Sequence, residues 1–358
     1  MSADGHRARL RGVLIGTAVG DALGLPAEGL SRGRVERWFG DRWEHRLLFG
    51  HGMVSDDTDH TVFVAQSLLA HPDSAKRFAG RLGWALRGWL LSLPAGIGFA
   101  TFRAILRLWI GFPSSKSGVR SAGNGPAMRA APIGVFFAND PITRIRYTRA
   151  ATTITHTDPR AFTGANAVAA IAALATGADR EVHPALDDVV SVLRAAGDVR
   201  DAEWPGLVDR FRDAAARQIG VDAFADELGL EHGVTGYVHH TVPVAVYAWY
   251  RHYGDFESTL VAILSCGGDT DTTGAIAGAL AGAVVGDHHI PAKWVRGIID
   301  WPRGVGLLRA IAARMAAAKE DRTSSRPVRY FVPGCLVRNL VFLAVVLLHG
   351  LRRMAPPY

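Results

Sequence analysis

Two short segments pack carboxylates and hydroxyls more densely than a turn requires. They are Ser55-Asp56-Asp57-Thr58-Asp59 and, about two hundred positions later, Gly267-Gly268-Asp269-Thr270-Asp271-Thr272. Oxygen donors of this kind suit hard divalent cations such as Mg2+ and Mn2+. Both segments precede apolar, Ala-rich stretches, so helix N-capping is the competing use of their Asp, Ser and Thr residues. A cap needs one side chain, and each segment holds more carboxylates than that. The pair is therefore read as two halves of one metal site, with Gly267-Gly268 letting the backbone approach an ion closely. Asp59 is assigned instead to the positive end of the following helix.

The elements that must position these segments are helical. Apolar residues recur three and four apart over Thr61 to Ala70, Ala161 to Ala175, Leu207 to Gln218, Val242 to Tyr253 and Leu307 to Ala318, and strand signals are few. The expected fold is all-α, a single compact multi-helix domain over residues 1–321 with a dinuclear metal site, followed by a basic, apolar extension over 322–358. One domain is preferred to two because the metal half-sites come from opposite ends of the chain. Glycine recurs every fourth residue at Gly16, Gly20 and Gly24 and again at Gly274, Gly278, Gly282 and Gly286. Residues four apart share a helix face, so each row clears a stripe against which a neighbouring backbone fits. Both stretches are read as tightly packed central helices that carry the metal site at their ends.

Composition supports a sizeable core: 358 residues, 49% hydrophobic and 20% charged. Cys266 and Cys335 are the only cysteines, which excludes a disulfide framework and a thiolate zinc site and fits a reducing compartment. The first ten residues contain no apolar run of the secretory type, and the expected location is cytoplasmic.

Several motifs occur in a fixed order: Gly16 to Gly24 with Glu28, Ser55 to Thr58, Gly123-Asn124-Gly125-Pro126-Ala127-Met128-Arg129, Thr155-His156-Thr157-Asp158, and Gly267 to Gly274. In that order the chain resembles the ADP-ribosylglycohydrolases, which include the dinitrogenase reductase-activating glycohydrolases and the vertebrate ADP-ribosyl-acceptor hydrolases, from about Gly12 to about Ala318. The resemblance implies a metal-dependent hydrolase that cleaves the glycosidic bond between ADP-ribose and an acceptor, either a modified protein side chain or a small-molecule conjugate. It implies Ser55, Asp56, Asp57, Asp269, Asp271 and Thr272 as ligands of two Mg2+ or Mn2+ ions. Glu28, Asp57 and Asp271 are the implied catalytic residues, with Glu28 as general base. Ser121, Gly123, Asn124 and Gly125 look like the loop that wraps diphosphate and ribose, where bare backbone amides bind phosphate oxygens. His156 is a further candidate beside the ligand. Arg129 is open between a phosphate and a core carboxylate, and Thr155 and Asp158 are expected to cap the helix beginning at Pro159. A non-catalytic ADP-ribose-binding or structural paralogue is the alternative.

Arginine-cleaving members commonly carry an acidic residue just before an Ile-Gly-x-x-Thr segment, and this chain has Gly96 there. A guanidinium acceptor then lacks its natural carboxylate partner, which shifts expectation toward an oxygen-linked acceptor. The tail also departs. Six of the 40 basic residues and none of the 33 acidic ones lie beyond Asp321, leaving 34 basic against 33 acidic in the rest. Its apolar run Leu340 to Leu348 is expected to pack on the body through Leu340, Leu343, Leu347 and Leu348. The alternative is peripheral contact with an anionic membrane surface. Arginines interleaved with aliphatics do not form a nucleic-acid arm, and no nucleic-acid partner is expected.

Overall fold

The computed structural model describes residues 3–320 and 323–354, and these are helical with no strand among them. Seven helices build the core, the site or its wall: α1 (Ala3–Gly24), α2 (Asp56–Ala70), α3 (Pro159–Gly177), α4 (Val238–Arg251), α5 (Thr270–Val285), α6 (Val305–Glu320) and α7 (Gly334–Arg352). The periodic segments of the sequence fall within or within two residues of helices α2, α3, Trp204–Ala216, α4 and α6.

Helices α1 and α5 form the axis of the molecule and run antiparallel, glycine row against glycine row. A Cβ placed on Gly16 would lie 2.1 Å from the carbonyl oxygen of Gly278, one on Gly20 1.9 Å from that of Gly274, and one on Gly12 2.0 Å from that of Gly282. Ordinary contact begins near 3.4 Å, so glycine alone permits this approach. The expected close packing of the two rows is thus met by their packing on each other, and Gly12 extends the first row by one turn. Helices α2 and α6 cover α1, while α3 and α4 cover α5, which buries both central helices on all sides. The N-terminal helix is long and apolar enough to cross a bilayer, yet 94% of its window is buried in the protein, as a core helix requires.

After α6 the chain crosses α2 as an extended strap: Ser325 N donates to the Leu69 carbonyl, and the Gln66 side chain donates to and accepts from the Val328 backbone. Helix α7 then docks on the body. Its inward contacts are polar as well as apolar. Arg338 pairs with Asp300 and donates to the Val54 carbonyl, Asn339 donates to the Ser92 carbonyl at 2.8 Å, and Phe342 and Val345 pack with Leu25, Leu47 and Met53. The expected inward leucines do not face the body. Leu340, Leu343, Leu347 and Leu348 are 40–65% exposed, because the body side of α7 offers carbonyls and a carboxylate that Arg338 and Asn339 satisfy.

Candidate active site

The C-terminal end of α1 and the N-terminal ends of α2 and α5 meet at one place, and each delivers part of the site. Asp21, fully buried near the end of α1, accepts hydrogen bonds from Ser55 N (2.9 Å), Thr58 N (3.1 Å) and Thr58 Oγ1 (2.6 Å). It thereby fixes the turn that presents Ser55, Asp56 and Asp57. Ser55 caps α2 by accepting from Asp57 N (3.2 Å), so the capping reading holds for the serine, and the two aspartates after it are left for other work. On the other half, Asp269 stands at the N-cap of α5 without a side-chain capping bond; its carboxylate accepts from Asn124 Nδ2 at 2.7 Å instead. The halves touch: Thr272 Oγ1 donates to Asp57 Oδ2 at 3.2 Å, across 215 residues of sequence.

Gly267-Gly268 has a different role from the one expected. Both glycines have positive φ (71° and 83°), and a Cβ on Gly268 would lie 2.0 Å from the Val234 carbonyl oxygen. The pair threads between two loops, with Gly268 N bonded to Leu30 O (2.7 Å) and Asp269 N to Val234 O (2.7 Å). The close approach is to protein backbone and sets where Asp269 projects.

Burial and mutual repulsion push the carboxyl groups upward. Burial, then the charges of Asp21, Asp59 and Glu28, raise Asp56 to about 8. Burial followed by Asp56 and Asp21 lifts Asp57 well above the carboxylate range, and burial followed by Glu28 and Asp269 does the same for Asp271. Glu28 is raised by its desolvation and by Asp269, and lowered by Arg353. Asp57 Oδ1 is buried with no hydrogen-bond donor. Carboxylates so crowded are stabilised by a cation, and the positive ends of α2 and α5 favour anions at the same point. Ser55, Asp56, Asp57, Asp269, Asp271 and Thr272 offer only oxygen donors, the type a hard divalent ion takes, although among the described residues no three carboxylates or histidines are gathered into a ready ligand cluster.

These residues open onto a cleft of about 930 Å³ lined by Glu28, Ser55, Asp56, Asp269, Asp271 and Thr272, with Asp57 behind them. The same cleft is lined by Ser121, Gly123, Asn124, Gly125 and His156, so every substrate-binding candidate borders it. His156 is buried against the glycine loop; a Cβ on Gly123 would lie 3.3 Å from its Nε2. Desolvation and Arg129 lower its pKa to about 3, which keeps the ring neutral. Gly96 borders the cleft with φ +77°, a backbone that disfavours any L side chain.

Three assignments change. Arg129 is fully buried and hydrogen-bonded to His60 Nδ1 (2.9 Å), the Ala151 carbonyl (3.0 Å) and Thr155 Oγ1 (2.6 Å), so the carboxylate it feels, Asp56, acts on it through charge and not through a hydrogen bond. Thr155 consequently supports Arg129 and His156, and Asp158 alone caps α3, accepting from Arg160 N at 3.0 Å. Asp59 is buried in an ion pair with Arg303 at 2.6 Å and accepts from the Trp89 indole at 2.9 Å, so neither a metal nor the helix dipole is its main partner. Sequence reasoning assigned no role to Asp21, an acid in the apolar second half of α1 whose only signal was the Gly-Asp-Ala triplet. It also missed Phe342 and Val346 of α7, which form part of the cleft wall.

The family model for ADP-ribosylglycohydrolase matches residues 2–325. An uncharacterised protein of Archaeoglobus fulgidus is 30% identical over 82% of this chain and 92% of its own. The ADP-ribosyl-[dinitrogen reductase] glycohydrolase of Rhodospirillum rubrum is 29% identical over 80% of this chain and 89% of its own, and ADP-ribosylhydrolase ARH3 of Gallus gallus 26% over 80% and 88%. A solved structure described as an ADP-ribosylglycohydrolase-related protein complex superposes with a TM-score of 0.64 at 27% identity, covering 88% of this chain and 99% of that one. Motif order, fold and these likenesses agree, and the chain belongs to the ADP-ribosylglycohydrolase family.

Proposed function

We propose that this chain hydrolyses the bond between C1″ of ADP-ribose and an acceptor on a protein or small molecule, with oxygen-linked acceptors preferred to arginine-linked ones. The observation that carries the reading is the meeting of two acidic helix N-termini at a cleft that Ser121, Gly123, Asn124 and Gly125 also line, Asn124 donating to Asp269. Ser55, Asp56, Asp57, Asp269, Asp271 and Thr272 would hold the two Mg2+ or Mn2+ ions. Such ions, when bound, supply Lewis acidity toward ribose hydroxyls and a water.

The protein groups do the rest. Glu28, which lines the cleft with a carboxyl raised by burial and by Asp269, is suited to take a proton from the attacking water. Asp57 and Asp271 fix the position of the reacting centre through Ser55 and Thr272, and Asn124 holds Asp269 in place. The glycine loop faces the diphosphate, with Gly123 N donating to Ser121 Oγ at 3.3 Å to hold the loop's shape, and neutral His156 contributes a hydrogen-bonding ring without added charge.

The linkage preference rests on Gly96 itself, a cleft-lining position that carries no carboxylate, while Arg103 and Arg120 are basic residues lining the same cleft. A guanidinium acceptor beside Gly96 would lack its natural partner there, which is unfavourable. The test is ADP-ribose release from matched serine-linked and arginine-linked peptides at saturating Mg2+. Faster arginine cleavage would reject the preference. Thermal stabilisation by ADP-ribose without release from any conjugate would favour the non-catalytic alternative.

A further inference from the structure

Helix α7 is built inside out. Arg338, Asn339 and His349 point toward the body, where they meet Asp300, the Ser92 carbonyl and the Pro26 carbonyl, the last at 2.9 Å. At the end of the helix Arg353 donates to the Glu28 carbonyl at 2.9 Å. The outward face holds Leu336, Val337, Leu340, Val341, Leu343, Leu347, Leu348 and Leu351, each at least 40% exposed. At 100° per residue these fall on one continuous face opposite Arg338, Phe342 and Val345. A helix that stabilised itself in water alone would carry the reverse pattern.

We infer that this face docks on an anionic lipid surface, with α7 lying in the plane of the headgroups and the catalytic domain above it. Three observations select that occupant. The described tail, residues 323–354, carries arginines and no acid, with exposed Arg329 in the strap before the helix and Arg352 in its last turn, so basic residues flank the apolar face along the chain. A second copy of the same face would bring like charges together, whereas anionic headgroups complement them. The inward contacts span the helix from Arg338 to His349, which holds it along the protein surface and excludes a membrane-crossing orientation. Leu91 and Leu93, exposed on either side of the Ser92 that Asn339 grips, widen the apolar area beside the helix. Because Phe342 and Val346 on the other side of α7 border the cleft, docking would place the cleft rim near the lipid surface.

The experiment is flotation of the full chain with phosphatidylcholine vesicles, with and without phosphatidylserine, at low and high salt. The expected result is recovery with phosphatidylserine vesicles, loss of most binding at high salt or without the anionic lipid, and at least a tenfold weaker partition for the Leu340→Asp/Leu347→Asp variant. Both leucines are exposed, so that variant should keep its circular dichroism and thermal midpoint. Failure of the wild type to float would overturn the inference. So would equal flotation of the variant, or a concentration-dependent dimer abolished by the same substitutions without vesicle binding. None of these readouts depends on the hydrolytic reading.

Discussion

Replacing Gly16 by Ala tests the central helix pair at a point removed from the cleft. In an open helix this change gains about 1 kcal/mol, because alanine loses less backbone entropy than glycine. Here the new methyl would meet the Gly278 carbonyl oxygen at 2.1 Å, more than an ångström inside ordinary contact. That oxygen belongs to a helix backbone and cannot rotate away, so α1 and α5 must separate along a contact that runs from Gly12 to Gly24. Overpacking of this kind costs about 1–3 kcal/mol and sometimes more, and the rigid obstacle puts this site at the upper end. After subtracting the propensity gain, a net loss of about 2 kcal/mol is expected. Gly80, in the helix Ala75–Leu91 with no atom within 4 Å of its Cβ position, is the control and should gain about 0.5–1 kcal/mol. Urea denaturation followed by circular dichroism gives both midpoints. A Gly16→Ala protein as stable as wild type would refute the close packing of the two glycine rows.

Arg303→Leu should cost about 3–5 kcal/mol in the same assay, because Asp59 would remain buried without its cation; a loss below 1 kcal/mol would mean the pair contributes little. Asp269→Asn should weaken divalent-cation binding at least tenfold by calorimetry, since a charge is lost from a shared site, and unchanged affinity would sink the shared-site assignment. The acid limb of the activity profile should vanish in Glu28→Gln, because Glu28 works unprotonated, and its persistence would name another base.

Much of the fold was legible because helical periodicity and the glycine rows report local geometry directly. The two acidic segments could be joined from the sequence alone, since carboxylates in such numbers need a common counter-charge. What escaped were facts set by distant partners. The fate of Arg129 depended on His60, Ala151 and Thr155, and that of Asp59 on Arg303, pairings that no local pattern announces. Gly267-Gly268 was correctly marked as a close approach, but the neighbour was the backbone of Leu30 and Val234. The orientation of α7 was missed because an apolar run shows that a helix has an apolar face, while Asp300 and Ser92 on the body decide which face turns inward.

The antiparallel pairing of α1 with α5 also fixes when the molecule can form. Helix α1 leaves the ribosome well before α5, and its glycine-lined partner begins 246 residues after its last residue. At about 5–20 residues per second the interval is roughly 12–50 s, far longer than the microseconds a helix needs to form. Throughout that time an apolar helix, nearly all of which ends up buried, can pack on α2 but has nothing to cover its glycine stripe. Synthesis therefore leaves that stripe open, and both acidic clusters remain apart until the last third of the chain arrives.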